Sequence, residues 1–245
     1  MDRSKTLALF VTCLVDQVMP EVGVSAVKVL RRAGYEVTFP QAQTCCGQPF
    51  FNSGFQDEAR RLARQTVDLL ADEPAVVLPS GSCTAMIRQE YPHLLADEPG
   101  YYYRALRLAR KTYELSEFLS QMADWPPPTA TETAVEPITY HDSCHMCRLL
   151  RLRDEPRQVL RRAGYAIAEM EESDRCCGFG GLFSLRMAEI SNAMTAEKLR
   201  LAAESAAATL ITADPGCLMQ LRGMLPEGSE LQLEHLAVAL ERATR

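Results

Sequence analysis

The amino-acid sequence predicts an α/β fold built from two homologous parallel-sheet units related by an internal repeat. Three observations carry that prediction. The segment Val29-Leu30-Arg31-Arg32-Ala33-Gly34-Tyr35 recurs as Val159-Leu160-Arg161-Arg162-Ala163-Gly164-Tyr165. The triplet Cys45-Cys46-Gly47 recurs as Cys176-Cys177-Gly178, with Cys13 matched by Cys144 and Cys83 by Cys217. Within each copy, short apolar runs alternate with amphipathic stretches, as strands and crossover helices do in a parallel sheet.

Each copy opens on a short apolar run, 7–12 or 138–141, read as a strand that leads to the first cysteine. A helix follows and ends at Ala33-Gly34 or Ala163-Gly164, where glycine suits a left-handed C-terminal cap. A second strand, 35–39 or 165–170, leads to the Cys-Cys-Gly turn. A longer helix, 56–71 or 185–206, then leads to a third strand, 75–79 or 209–213, and the last cysteine comes at once. All three cysteine-bearing turns therefore leave the C-terminal ends of strands. In a parallel sheet those ends share one edge, where open α/β folds gather ligands. Between the copies stands Trp125-Pro126-Pro127-Pro128, followed by Thr- and Ala-rich sequence to Pro137. Consecutive prolines favour an extended spacer, which places the units at residues 1–128 and 129–245.

Composition narrows the function. With 245 residues the chain can bury a core from apolar side chains alone, so a metal is expected for chemistry rather than as a staple. A net charge of −6 and the lack of a clustered basic surface argue against nucleic acid. The basic pairs Arg31–Arg32, Arg60–Arg61 and Arg161–Arg162 read as solvated helix faces. The apolar run 7–15 is too short to span a bilayer and is stopped by Asp16. It also lacks a small-residue cleavage site. The expected location is cytoplasmic, where thiols stay reduced, so nine cysteines point to metal rather than disulfides.

The spacing is equally regular. In both copies 31 residues separate the first cysteine from the pair, and 36 or 39 separate the pair from the last. Each set supplies four thiols: Cys13, Cys45, Cys46 and Cys83; then Cys144, Cys176, Cys177 and Cys217. Four thiolates suit zinc or an iron–sulfur cluster. Adjacent cysteines fit one tetrahedral ion awkwardly, whereas a cluster offers a different iron to each. Cys147 is left over as a spare ligand. Burial of these cysteines as small hydrophobes is the plainer reading for one thiol, and two matched sets weigh against it.

These residues resemble the CCG-domain proteins, among them the lactate-utilisation protein A family. The first signature is Thr12-Cys13-Leu14-Val15-Asp16, Cys45-Cys46-Gly47-Gln48-Pro49 with Asn52-Ser53-Gly54, and Pro79-Ser80-Gly81-Ser82-Cys83. The second is His141-Asp142-Ser143-Cys144-His145, Cys176-Cys177-Gly178-Phe179-Gly180-Gly181 with Phe183-Ser184, and Cys217-Leu218-Met219. The resemblance implies an electron-transfer subunit of a complex oxidising L-lactate to pyruvate. Its implied partners are a ferredoxin-type iron–sulfur subunit and a third subunit, and no flavin or nicotinamide motif suggests catalysis by this chain alone. Heterodisulfide reductase relatives carry a fifth cysteine for a non-cubane cluster. Here Cys83-Thr84-Ala85-Met86 and Cys217-Leu218-Met219-Gln220 lack it, so the expectation is one [4Fe-4S] cluster per copy. A thiol–disulfide reductase and a zinc-stabilised scaffold remain as alternatives.

The second site reads as the more polar. His141, Asp142, His145 and Cys147 surround Cys144, where the first copy has Phe10, Val11, Leu14 and Asp16. Histidines there either tune a cluster and face the electron or proton acceptor, or His141 merely satisfies a strand end. The glycines of 178–181 do not match a dinucleotide-binding spacing and read as a tight turn.

Overall fold

A computed structural model describes residues 5–122 and 137–244. The first unit runs β1 (Thr6–Leu9), α1 (Cys13–Val18), α2 (Pro20–Arg32), β2 (Glu36–Thr38), α3 (Gln48–Asn52), α4 (Gln56–Leu70), β3 (Val76–Leu78) and α5 (Gly81–Ala85). A π-helical turn (Met86–Glu90) then leads to α6 (Tyr91–Leu94), α7 (Pro99–Arg110), β4 (Thr112–Glu114) and α8 (Leu115–Ser120). The second unit runs β5 (Ile138–Tyr140), a π-helical segment (His145–Leu150), α9 (Asp154–Arg162), α10 (Leu182–Arg186) and α11 (Ala188–Glu204). It ends with β6 (Thr209–Thr212), α12 (Pro215–Met224), β7 (Gln232–His235) and α13 (Leu236–Ala243). The proline-rich boundary expected near residue 128 lies outside the described residues.

Both sheets are parallel throughout. The first has the order β2-β1-β3-β4 and the second β5-β6-β7. The α/β architecture of two parallel-sheet units is therefore as the repeat indicates. Strands such as β3 and β5 are buried along their whole length, as expected when helices cover both faces of a sheet. On α4 the buried residues Ala59, Ala63, Thr66, Val67 and Leu70 recur at helical spacing and form the stripe that faces the core. Gly34 and Gly164, at φ +88° and +90°, end α2 and α9 as left-handed caps.

Two expected elements differ. The strand expected over 165–170 is reduced to one bridge, Ile138 with Ile167, beside β5. The reason is local: the Met170 N–H donates to the Thr139 hydroxyl at 3.1 Å instead of to a strand carbonyl, so the ladder stops there. The helix expected over 185–206 is split at Met187 (φ −123°, ψ 48°) into α10 and α11.

The units are joined by exchange of their last helices. Helix α13 of the second unit lies on α2 of the first, and α8 of the first lies on α9 of the second. One core cluster accordingly includes Leu7, Leu9, Val29 and Leu30 together with Ile138, Tyr140, Leu236 and Leu240. Arg32 and Arg162 hold this exchange, which corrects the reading of these two as solvated; Arg31 and Arg161, the other members of the two pairs, are exposed. Arg32 donates to the Glu241 carbonyl (2.9 Å) at the end of α13, and Arg162 to the Ser120 and Met122 carbonyls (3.3 and 3.1 Å) at the end of α8. A cation at a helix C-terminus satisfies free carbonyls and opposes the helix dipole.

His235 caps α13, its Nδ1 accepting from the Ala237 N–H at 3.1 Å. Burial pushes its pKa from 6.5 down to about 4. Between those values the unfolded chain carries a proton that the folded chain does not, so stability rises with pH in this window and is lost as acid is added. His235→Asn retains a capping acceptor and cannot protonate. It is expected to recover about 3 kcal/mol at the acid end of the window, read from urea unfolding at a series of pH values. An unchanged acid slope would clear this histidine of the role.

Candidate metal centres

Each sheet delivers its four thiols to the C-terminal edge of its strands. In the first unit Cys13 follows β1, through Thr12 at φ 74°, and opens α1. Cys45 and Cys46 lie in the turn after β2, and Cys83 lies in the first turn of α5, where the Ser80 hydroxyl accepts from its N–H at 3.3 Å. The Sγ atoms of Cys13 and Cys45 are 3.6 Å apart, and those of Cys46 and Cys83 3.2 Å. In the second unit Cys144 follows β5, Cys176 and Cys177 follow the Ile167 bridge, and Cys217 lies in the first turn of α12. The Cys177 and Cys217 Sγ atoms are 2.9 Å apart, and Cys176 is hydrogen-bonded to Cys144. All nine thiols are free.

The glycine after each pair makes the geometry possible. Gly47 and Gly178 both stand at φ +89°, a region side chains avoid. That turn brings the Gly47 N–H to 3.5 Å from Cys45 Sγ and the Gly178 N–H to 3.4 Å from Cys176 Sγ. The carbonyl of the second cysteine is anchored too, by different means. The Tyr91 hydroxyl donates to the Cys46 carbonyl, and the Thr195 hydroxyl to the Cys177 carbonyl, each at 2.8 Å.

Charge is distributed alike in both sites. The hydrogen bond from Cys13, then that from Cys46, pull the Cys45 thiol down to about 3. Cys144 and Cys177 do the same to Cys176, taking it to about 2. The donors Cys13 and Cys144 are raised, first by sharing that proton and then by burial. Each site thus holds one thiolate hydrogen-bonded by its neighbours, a set of soft donors ready to exchange protons for metal.

The second site carries groups the first lacks. His141 is fully buried, and neither ring nitrogen has a hydrogen-bond partner. A ring nitrogen of His141 and the Sγ atoms of Cys177 and Cys217 all lie within 4.8 Å of one another. Burial, and then the Lys198 charge, lower its pKa to about 4, so the ring is neutral. His145 Nε2 is 2.7 Å from the Gln48 amide and its Nδ1 3.5 Å from Cys144 Sγ. Asp142, in contrast, is spent on structure: its two oxygens take the Arg157 guanidinium at 2.8 Å each, and the Ser173 hydroxyl donates to it at 2.7 Å. Cys147 turns toward the Asp142 and Cys144 carbonyls (3.9 and 4.0 Å) and joins neither set of sulfurs.

One group spans the sites. Asp214 Oδ1 accepts from the Gly216 and Cys217 N–H groups (3.1 and 3.4 Å) at the start of α12, and Oδ2 from the Ser82 N–H (2.7 Å) beside Cys83. Nothing in the repeat signals this, because Ser80 is the matching cap in the first unit. Asp214→Ala removes a cap and leaves a buried N–H without a partner. The expected loss is about 2 kcal/mol in denaturant unfolding; a loss below a few tenths would show the bridge to be idle.

The residues fit an iron–sulfur centre. In each unit the four free thiols form no disulfide and lie in contacting pairs linked through the adjacent cysteines. The glycine turns admit close approach, and in the second unit His141 is a buried donor with no partner of its own.

Comparison with known proteins agrees in its coverage. Residues 7–88 and 138–222 match the model of the cysteine-rich CCG domain. The chain is 43% identical over 236 residues to lactate utilization protein A of Bacillus subtilis (strain 168), covering 96% of this chain and 98% of that one. With the protein of the same name from Shouchella clausii (strain KSM-K16) the identity is 44% over equal coverage. Among solved structures, a hypothetical protein from Helicobacter pylori superposes with a TM-score of 0.70 at 12% identity. That alignment covers 98% of this chain and 49% of the other, and it speaks to the fold alone. Among the described residues no helix is long and apolar enough to cross a membrane.

Proposed function

This chain belongs to the cysteine-rich CCG-domain family, together with the lactate utilization A proteins, and from that premise we propose that it is the iron–sulfur electron-transfer subunit of an L-lactate-oxidising system. The observation that carries the reading is the pair of matched four-thiol sets, one at the same edge of each sheet. Cys13, Cys45, Cys46 and Cys83 hold one [4Fe-4S] cluster; Cys144, Cys176, Cys177 and Cys217 hold the other. A cluster supplies one-electron storage without a proton or a bond change.

The protein's own contribution is placement and environment. Cys46, Cys83, Cys177 and Cys217 are buried and keep water from one side of each site. Cys13, Cys45, Cys144 and Cys176 are partly exposed, so each site has an outer side that an electron partner can approach. The Gly47 and Gly178 N–H groups donate to the Cys45 and Cys176 sulfurs, and such bonds raise a cluster's potential by spreading its charge. Oxidation of lactate itself is assigned to partner subunits: a ferredoxin-type iron–sulfur protein and a third component.

The test is iron and acid-labile sulfide content of anaerobically prepared protein, with EPR in both redox states. About eight of each per chain is expected for two four-iron clusters. Stoichiometric zinc with no iron after anaerobic reconstitution would sink the proposal in favour of a zinc-stabilised scaffold. Reduction of a mixed disulfide by the isolated chain would move it to a thiol–disulfide reductase.

A further inference from the structure

The two sites are alike in their thiols and unlike in what surrounds them. At the second, His141 sits fully buried with both ring nitrogens unpartnered, beside Cys177 and Cys217. A buried ring N–H without an acceptor is costly, and that cost is offset if the sulfurs beside it carry charge. The equivalent position in the first unit is Phe10, buried and unable to donate.

Lys198 is the second anomaly. It is fully buried on α11, its ammonium donating to the Glu172 and Ser173 carbonyls at 2.7 and 3.1 Å. No carboxylate lies within ion-pair distance of it among the described residues. A buried cation without a counter-charge is costly: burial pulls the Lys198 pKa down to about 8, opposed first by Cys177, then by Asp142 and Asp174, and then by Cys217. The Glu172 and Ser173 carbonyls that hold the ammonium lie in the segment leading to Cys176. On the first unit's helix α4, Thr66 and Val67 are the buried residues at the matching level, and neither bears a charge.

We infer that His141 and Lys198 are positioning residues for an anionic metal centre at the second site, the histidine N–H hydrogen-bonding a cysteine sulfur and the lysine supplying the missing counter-charge. Both interactions strengthen as the centre gains negative charge. The second centre is therefore more easily reduced than the first, even though both have the same four-thiolate ligation. The inference rests on the proposed iron–sulfur reading and adds an order to its two centres.

The experiment is an EPR-monitored redox titration of the full, anaerobically reconstituted chain, with iron and sulfide counted on every sample. The wild type is expected to show two potentials. His141→Phe, which copies Phe10, and Lys198→Met are each expected to disfavour reduction of the second centre by at least tenfold, about 59 mV for one electron. The first centre stays in place. His141→Gln, which keeps a donor, and Lys198→Arg, which keeps the charge, are expected to restore most of the shift. Because a variant can fail to load, a His145→Gln chain carrying isotopically labelled histidine is also examined by pulsed EPR for a histidine nitrogen weakly coupled to the second centre. Full iron with unmoved potentials, or no nitrogen coupling, overturns this inference and leaves the cluster reading standing. Coupling strong enough for a nitrogen bound directly to iron overturns the hydrogen bond. Absence of iron from the wild type is a different failure, that of the cluster reading itself.

Discussion

Cys177→Ala is expected to halve the iron and sulfide of the protein, from about eight to about four of each per chain, with the EPR signal of the first centre intact. The two donor sets share no thiol, and the Cys177 sulfur, 2.9 Å from that of Cys217, has no counterpart to replace it. Cys46→Ala should give the reciprocal result, because Cys46 contacts Cys83 at 3.2 Å in the other site. Since metal binds only the folded site, each variant also forfeits that site's share of ligand-linked stabilisation. Loss of both clusters from either single variant would show that the sites load as one unit. Full iron in both variants would remove these two cysteines from the ligand sets.

Gly178→Ala should be strongly damaging, and Gly47→Ala a much milder change. Both glycines stand at φ +89°, so alanine incurs the left-handed penalty of about 1–2 kcal/mol at either. The surroundings differ. A Cβ at 178 falls 2.5 Å from the Ser191 carbonyl oxygen and 2.8 Å from the Thr195 hydroxyl, whereas at 47 its nearest neighbours are 3.4 Å away. Relieving the first clash means moving α11 away from the turn, for a further 1–3 kcal/mol or so. It also disturbs the Ser191 and Thr195 hydroxyls that bind the Gly178 and Cys177 carbonyls. Unfolding of the metal-free proteins in urea checks this: about 3–4 kcal/mol is expected for Gly178→Ala and about 1–2 for Gly47→Ala. Equal losses would mean that the turn, not its contact with α11, sets the cost.

These contrasts show where sequence reasoning reached and where it stopped. The helix ends at Gly34 and Gly164 were legible because a left-handed cap is a property of one residue and its neighbours. The third strands and the thiols that follow them were legible for the same reason: apolar runs and turn glycines act locally. The strand expected over 165–170 shrinks to one bridge because Thr139, a residue far away in sequence, intercepts the Met170 N–H. Arg32 and Arg162 look like any exposed basic pair until α13 and α8 are laid against their helices. His141 stands close to Cys144 in the sequence, yet its ring lies within 4.8 Å of the Cys177 and Cys217 sulfurs, which come from other parts of the chain.

By itself the sequence determined the duplication, the parallel α/β character of each copy, and the recurrence of the cysteines at matched spacing. All of these are written in periodicity and spacing along the chain. Only the tertiary structure decided that the copies exchange their last helices, that Asp214 ties one thiol-bearing turn to the other, and that the His141 ring lies beside Cys177 and Cys217. Those outcomes depend on which surfaces meet when two similar units share a core. Side chains far apart in the chain acquire partners there that no local pattern records.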